Sequence, residues 1–186
     1  RGYYQGLGLD EDTNTFVIDR QSLPGYFWAF PLGEDIFNVG FGIKADAEGK
    51  TSLDLKSTLH KILEQSIKKG IFRKAEPLTG LKGGIIPLGG KMGMYHGEHF
   101  VMAGDAAHLA DPLQGHGIDT AILSGIQAGE HAGQCIEFNE FGTHVHENYS
   151  IQIWTGIDRK ARKNRRRQLL LTAFPGLLAV YSRFKK

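Results

Sequence analysis

A single cysteine, Cys135, stands in a chain of 186 residues, so neither a disulfide framework nor a cluster of thiolate ligands can staple the fold. That usage suits a reducing compartment. No uninterrupted apolar run approaches the roughly 18–20 residues that a membrane-spanning helix needs. Internal repeats, flexible linkers and a signal-peptide pattern are also missing. The chain opens on Arg1 rather than Met, which reads as part of a longer protein.

The composition that remains is that of a folded protein. At 41% hydrophobic and 23% charged it is neither disordered nor collagen-like, and its length suits one domain or two small lobes with a real core. The net charge of +2 hides an asymmetry. Arg159 to Lys186 holds 10 basic residues and no acidic ones, which leaves the first 158 residues at −8. An acidic body with a basic tail points the tail toward an anionic partner, nucleic acid or lipid headgroups.

Gly2 to Ile43 reads as three or four short strands, with the acidic turn Asp10–Asn14 between two of them. Pro24-Gly25 signals a turn before Tyr26–Pro31, and Pro31 should end or edge that strand because it has no N–H. Ile36–Ile43 follows as the second arm of a hairpin. From Thr51 to Lys69 the period changes: Leu53, Leu55, Leu59, Ile62, Leu63 and Ile67 fit a helical stripe that Gly70 stops. Gly80–Gly90 predicts a strand or crossing segment. Phe100–Ala103 predicts a buried strand, and Gly117–Glu137 a helix of small residues. Phe138 to Lys186 reads as helical, broken at Pro175-Gly176 ahead of an apolar piece, Leu177–Tyr181.

The stretch from Phe100 to Gly133 carries the densest chemistry. A strand ends at Gly104-Asp105-Ala106-Ala107, a loop carries Asp111-Pro112-Leu113-Gln114-Gly115-His116-Gly117, and a helix opens with Ile118-Asp119. A carboxylate at the carboxyl end of a strand lies where ligands bind in α/β sheets, and it can accept hydrogen bonds from sugar hydroxyls. Glycines at 104, 115 and 117 permit close backbone approach. The helix start offers unpaired N–H groups and partial positive charge, suited to an anion or an electron-rich ring edge.

This combined pattern resembles the second flavin-binding motif of the FAD-dependent aromatic-hydroxylase superfamily. The resemblance implies that Gly104 and Asp105 meet the ribityl chain of FAD. Pro112, Gly115 and Gly117 would line the isoalloxazine ring, with Ile118 and Asp119 presenting backbone N–H groups at its pyrimidine edge. Asp119 stands where the hydroxylases often have Asn. A second signature narrows the family. Tyr26-Phe27-Trp28-Ala29-Phe30-Pro31 and Asn38-Val39-Gly40 resemble a paired motif of geranylgeranyl reductases. Strand alternation puts Tyr26, Trp28 and Phe30 on one face and Phe27 and Ala29 on the other. The aromatic face is ordinary core or, as the resemblance implies, a cavity wall for an isoprenoid chain, with Pro31 at its end.

The resemblance implies an α+β protein, a mostly antiparallel substrate lobe over residues 1–98, part of a FAD-binding lobe over 99–137, and C-terminal helices with the basic tail over 138–186. The Rossmann Gly-x-Gly-x-x-Gly of the family does not occur in the sequence, so an N-terminal Rossmann half of the same protein is an expected partner. The activity implied is reduction of carbon–carbon double bonds of a prenyl lipid, with NADPH or another electron donor reducing FAD. A flavin monooxygenase and an inactive lipid-binding or scaffolding module are the alternatives. No residue is assigned the proton-donating role.

Histidine pairs at 96/99 and 144/146 bring no convincing third ligand, so they read as solvated and no metal is expected. His108 and His116 flank the flavin-like loop without an assigned role. Cys135 reads as a packed small residue. The tail lacks a nucleic-acid-binding fold and interleaved aromatics. The implied lipid substrate then favours an anionic membrane surface as its partner. A cytoplasmic protein, peripheral on the inner face of the membrane, is the resulting expectation.

Overall fold

The computed structural model describes residues 1–18, 25–45, 49–51, 53–90 and 93–174. Pro24, the Pro175-Gly176 break, the apolar piece after it and the last three basic residues lie outside the described residues. The chain forms two compact units, Arg1–Ile85 and Ile86–Lys186.

The first unit is built on a five-stranded antiparallel sheet. Its strands are β1 (Gly2–Gln5), β2 (Thr15–Val17), β3 (Tyr26–Gly33), β4 (Ile36–Gly42) and, after helix α1 (Leu55–Lys68), β5 (Glu76–Pro77). The spatial order is β2-β3-β4-β1-β5. β3 and β4 are joined by a tight turn in which Glu34 and Asp35 both have positive φ, the geometry whose twist matches a hairpin. That turn is held from outside. The Asp35 N–H donates to Glu11 Oε1 at 2.7 Å, and Asp35 Oδ1 accepts from the Gly8 N–H at 3.3 Å.

One sheet face makes the core. Phe27, Ala29, Phe37 and Val39 are fully buried against Leu59 and Leu63 of α1, together with Leu7 and Phe72. Each large side chain so removed from water contributes about 1.5–3 kcal/mol. Asp54 caps α1 by accepting the Lys56 N–H at 3.2 Å, and Gly70 at φ +70° ends the segment.

Three local expectations are narrowed. β3 does not stop at Pro31 but runs to Gly33. β2 pairs only as far as Ala29, and a register shift between Pro31 and Gly33 absorbs the missing N–H. The buried stripe of α1 is Leu59, Leu63 and Ser66, while Leu55 and Ile67 are exposed. Of the two alternatives for residues 80–90, the strand does not form, which leaves the crossing segment; among the described residues Leu88 makes a parallel bridge to Ala110.

The second unit begins with a short hairpin, β6 (His96–Gly97) and β7 (Phe100–Val101), so position 98 falls at its turn. A single 3-10 turn, Gly104–Ala107, leads through a loop into α2 (Ile118–Phe138). Next comes α3 (Thr143–Ile153), followed by a π-helical turn at Trp154–Asp158 and α4 (Arg159–Ala173). The π turn buries Ile157 and Asp158. Asp158 Oδ1 accepts the Gly90 N–H at 2.7 Å and Oδ2 accepts the Tyr95 hydroxyl at 2.8 Å. Burial, and then the Asp158 carboxylate, push the Tyr95 phenol far upward, so it stays a donor.

Candidate functional site

In the first unit, Tyr26, Trp28 and Phe30 project from the face of the sheet opposite the core. They are half-buried, whereas Phe27 and Ala29 between them are fully buried. The alternation expected from the sequence therefore holds, and the three rings are not the core. Phe16 of β2 extends the row, with its ring 5.5 Å from Tyr26 and 5.3 Å from Phe30. Trp28 and Phe30 stack at 6.2 Å.

The Trp28 indole lies across β4. Its Nε1–H donates to Asn38 Oδ1 at 3.2 Å, and a Cβ on Gly40 would sit only 2.1 Å from its Cζ2. Asn38 and Gly40 thus have a shared purpose: one fixes the indole edge and the other leaves room for its face. Together they form an apolar wall with few polar atoms, suited to a chain without hydrogen-bonding groups.

In the second unit the loop between the 3-10 turn and α2 has a rigid frame. Gly104, at φ +56°, donates its N–H to the fully buried Ser124 Oγ at 2.9 Å, and Ser124 donates to the Thr120 carbonyl at 2.6 Å. Asp111 is the loop's hub. Its Oδ1 accepts the N–H groups of Leu113 and Gln114 at 2.8 and 2.9 Å, and its Oδ2 accepts Asn164 Nδ2 at 2.6 Å. Gln168 Nε2 donates to the Pro112 carbonyl. Both amide side chains come from α4.

On this frame the outward groups are Asp105, Gln114, Gly115, His116, Ile118 and Asp119, all exposed. A Cβ on Gly117 would fall 3.2 Å from Ala110 Cβ and 3.6 Å from Asp105 Oδ1, so the loop brings Asp105 beside the start of α2. Gly117 supplies no side-chain cap there. Asp119 faces His116, Oδ1 to Nδ1 at 3.0 Å. Desolvation acts upward on its carboxyl, but His116 and the backbone N–H groups at the helix start together outweigh it and hold it below the usual range. The arrangement offers a carboxylate for hydroxyl groups, a flat glycine loop and a helix start.

The residues 3–84 match the geranylgeranyl reductase catalytic domain. Through this domain the chain belongs to the geranylgeranyl reductase family. It is similar to digeranylgeranylglycerophospholipid reductase 2 of Methanopyrus kandleri, 34% identical over 71% of this chain and 33% of that protein. It is also similar to menaquinone reductase of Mycolicibacterium smegmatis, 34% identical over 70% of this chain and 32% of that one. Among solved structures, a geranylgeranyl bacteriochlorophyll reductase-like protein of Thermoplasma acidophilum superposes with a TM-score of 0.78. It is 28% identical, over 92% of this chain and 42% of that one. The chain spans about a third of the length of the curated relatives it matches.

The geranylgeranyl reductase domain match contains the aromatic wall, while the loop at 104–119 lies beyond it. Several residues that build this site carry no assigned role in the sequence reading. Ser124, Asn164 and Gln168 hold the loop by side-chain bonds, and only their polar character at helical spacing could have marked them. Asp111 was read as loop and is structural. The expectation of solvated histidines fails at His146, which is buried and touches His131 from α2 at 2.7 Å. Cys135 is buried, as expected for a packed residue.

Proposed function

We propose that the protein of which this chain forms part is a flavin-dependent reductase of carbon–carbon double bonds in a prenyl lipid. The observation carrying this reading is the row of Tyr26, Trp28 and Phe30 on the coreless face of the sheet, within the matched reductase domain. An isoprenoid has no polar handle, so its recognition must come from apolar area and shape, and stacked half-buried rings supply both. The relatives named above carry the names of prenyl-lipid and quinone reductases, which favours reduction over hydroxylation.

The loop of the second unit fits the ribityl and ring portion of FAD by its donor set. Asp105 is an exposed carboxylate at the right chemistry for hydroxyls, Gly115 at φ +72° and Gly117 keep side chains out of the way, and α2 begins without a side-chain cap. Gly104 and Pro112 set the loop's floor, and Ile118 and Asp119 provide first-turn N–H groups whose partial positive charge favours an electron-rich ring edge. When bound and reduced by NADPH or another donor, FAD supplies a hydride to one alkene carbon while a proton reaches the other. This chain's residues orient the ring and the lipid and exclude water. We also assign the basic face of α4 to an anionic membrane surface where such lipids reside.

The test is reconstitution of the complete protein with FAD, a reduced donor and a geranylgeranyl lipid, followed by product mass. A gain of two hydrogens per reduced bond is expected. Asp105→Ala should lose FAD without loss of fold, and Trp28→Ala should raise KM for the lipid while FAD stays bound. An oxygenated product with oxygen consumption would overturn the reading in favour of a monooxygenase.

A further inference from the structure

The α2–α3 pair carries a cluster that the reductase reading does not use. His131 and Cys135 are one turn apart on α2, and His146 projects from α3 toward both. His131 Nε2 lies 2.7 Å from His146 Nδ1 and 3.5 Å from Cys135 Sγ. One nitrogen or sulfur from each residue falls within 4.8 Å of the others. Cys135 and His146 are buried, at 5% and 4% exposure.

As a set of hydrogen bonds the cluster is poorly satisfied. The short contact between the two imidazoles needs one proton between two nitrogens. If His131 gives it, the neutral His146 carries its own proton on Nε2; if His146 gives it, Nε2 is a bare acceptor. In both cases Nε2 of His146 is buried without a partner among the described residues. Burial first, then the neighbouring His146 and His96, push His131 downward, toward the neutral form with a free lone pair.

We propose that His131, Cys135 and His146 form a binding site for a zinc-type divalent cation. Two imidazoles and one thiolate are a ligand set that selects zinc or cobalt over magnesium or calcium. Tetrahedral ligation at about 2.0–2.3 Å spaces donors by about 3.3–3.7 Å. The Cys135–His131 separation of 3.5 Å already meets that, and the His131–His146 pair must open by about half an ångström. The thiol gives up its proton to solvent when the metal–sulfur bond forms. His131 and Cys135 also line a cavity of about 110 Å³ with Gln134, Glu140 and Asn148, which has room for water as the remaining ligand. The ion would clamp α2 to α3, the helix whose other end leads through the π turn into α4.

The test uses the 186-residue chain, stripped of metal by a chelator and titrated with cobalt(II). One cobalt per chain is expected, with thiolate-to-cobalt charge-transfer absorption that zinc abolishes by displacement. Zinc, but not magnesium, should slow alkylation of Cys135 at least tenfold, and this reading is clean because the chain has one cysteine. Cys135→Ser should remove the charge-transfer band, and His146→Gln should weaken cobalt binding at least tenfold with helical circular dichroism retained. Absence of the band at saturating cobalt, its survival in Cys135→Ser, or alkylation unaffected by zinc would each overturn the proposal. If a variant fails to fold, the alkylation result on the unmodified chain decides.

Discussion

Gly40 is the position where the aromatic wall is most exposed to a single added carbon. A Cβ there would lie 2.1 Å from Cζ2, 2.4 Å from Cε2 and 2.7 Å from Cη2 of Trp28. No real contact is that short, so in Gly40→Ala the indole must leave. Leaving also breaks the 3.2 Å bond from Nε1 to Asn38. Overpacking costs about 1–3 kcal/mol and the lost hydrogen bond about 1, giving about 2–4 kcal/mol in all. With a urea dependence of about 2 kcal/mol/M, the midpoint falls by about 1–2 M.

The control lies two residues on. A Cβ on Gly42 would meet Trp28 Cζ3 at 3.6 Å, ordinary contact, so Gly42→Ala should leave the unfolding free energy within about 0.5 kcal/mol of the parent. Removing the indole should reverse the sign at Gly40. In a Trp28→Ala background, Gly40→Ala should be neutral or stabilising by about 0.5–1 kcal/mol, because alanine restricts the unfolded chain more than glycine. Urea titrations followed by far-ultraviolet circular dichroism read stability in all four chains of the cycle, and Trp28 fluorescence in a Trp154→Phe background reads the indole's surroundings where Trp28 is kept. Equal costs of Gly40→Ala with and without the indole would refute the packing argument.

Three further outcomes follow from the second unit. Ser124→Ala leaves the buried Gly104 N–H without its acceptor and should cost about 1–3 kcal/mol in urea unfolding; an unmoved midpoint would show that the bond does not hold the turn. Tyr149 donates to the Met102 carbonyl at 2.6 Å, and burial raises its phenol from 10.0 to about 12. A raised folded pKa means the contribution is complete below pH 10 and is lost as pH climbs to about 12, so Tyr149→Phe should flatten stability across that window. Replacing Lys160, Lys163 and Arg166 by Gln should weaken co-sedimentation with anionic vesicles by roughly a hundredfold, at about 1 kcal/mol per charge; equal binding to neutral vesicles would sink the electrostatic reading.

The sheet was legible because β3 and β4 obey a simple period. Alternation alone separated Phe27 and Ala29 from Tyr26, Trp28 and Phe30, and the structure buries the first pair completely. What alternation could not give was the cross-strand relation of Trp28 to Asn38 and Gly40, which depends on register. The glycine loop was legible as a pattern because backbone freedom demands particular residue types. Its supports were not, since Asn164 and Gln168 lie more than fifty residues away, on a helix whose sequence advertises charge. The histidine–cysteine cluster stayed hidden for a related reason. Sequence proximity pairs His144 with His146, but on a helix residues two apart diverge, whereas the partner of His146 is fifteen residues earlier on another helix.

The basic helix α4 has two faces with different roles. A helix docking by an apolar stripe would have turned its leucines inward, yet Leu169 and Leu170 are about half exposed, at 48% and 55%. The inward stripe of α4 is instead Ala161, Asn164 and Gln168, and it terminates on Ala110's neighbours Asp111 and Pro112. One face of α4 is therefore a support for the glycine loop, and the other carries Lys160, Lys163 and Arg166 with the exposed leucines. Charge removal on the outer face touches none of the bonds to the loop. Asn164→Ala or Gln168→Ala should do the opposite, loosening the loop while leaving the charge intact. If the outer face meets a membrane, α4 is also the element through which that contact reaches the loop beside Asp105.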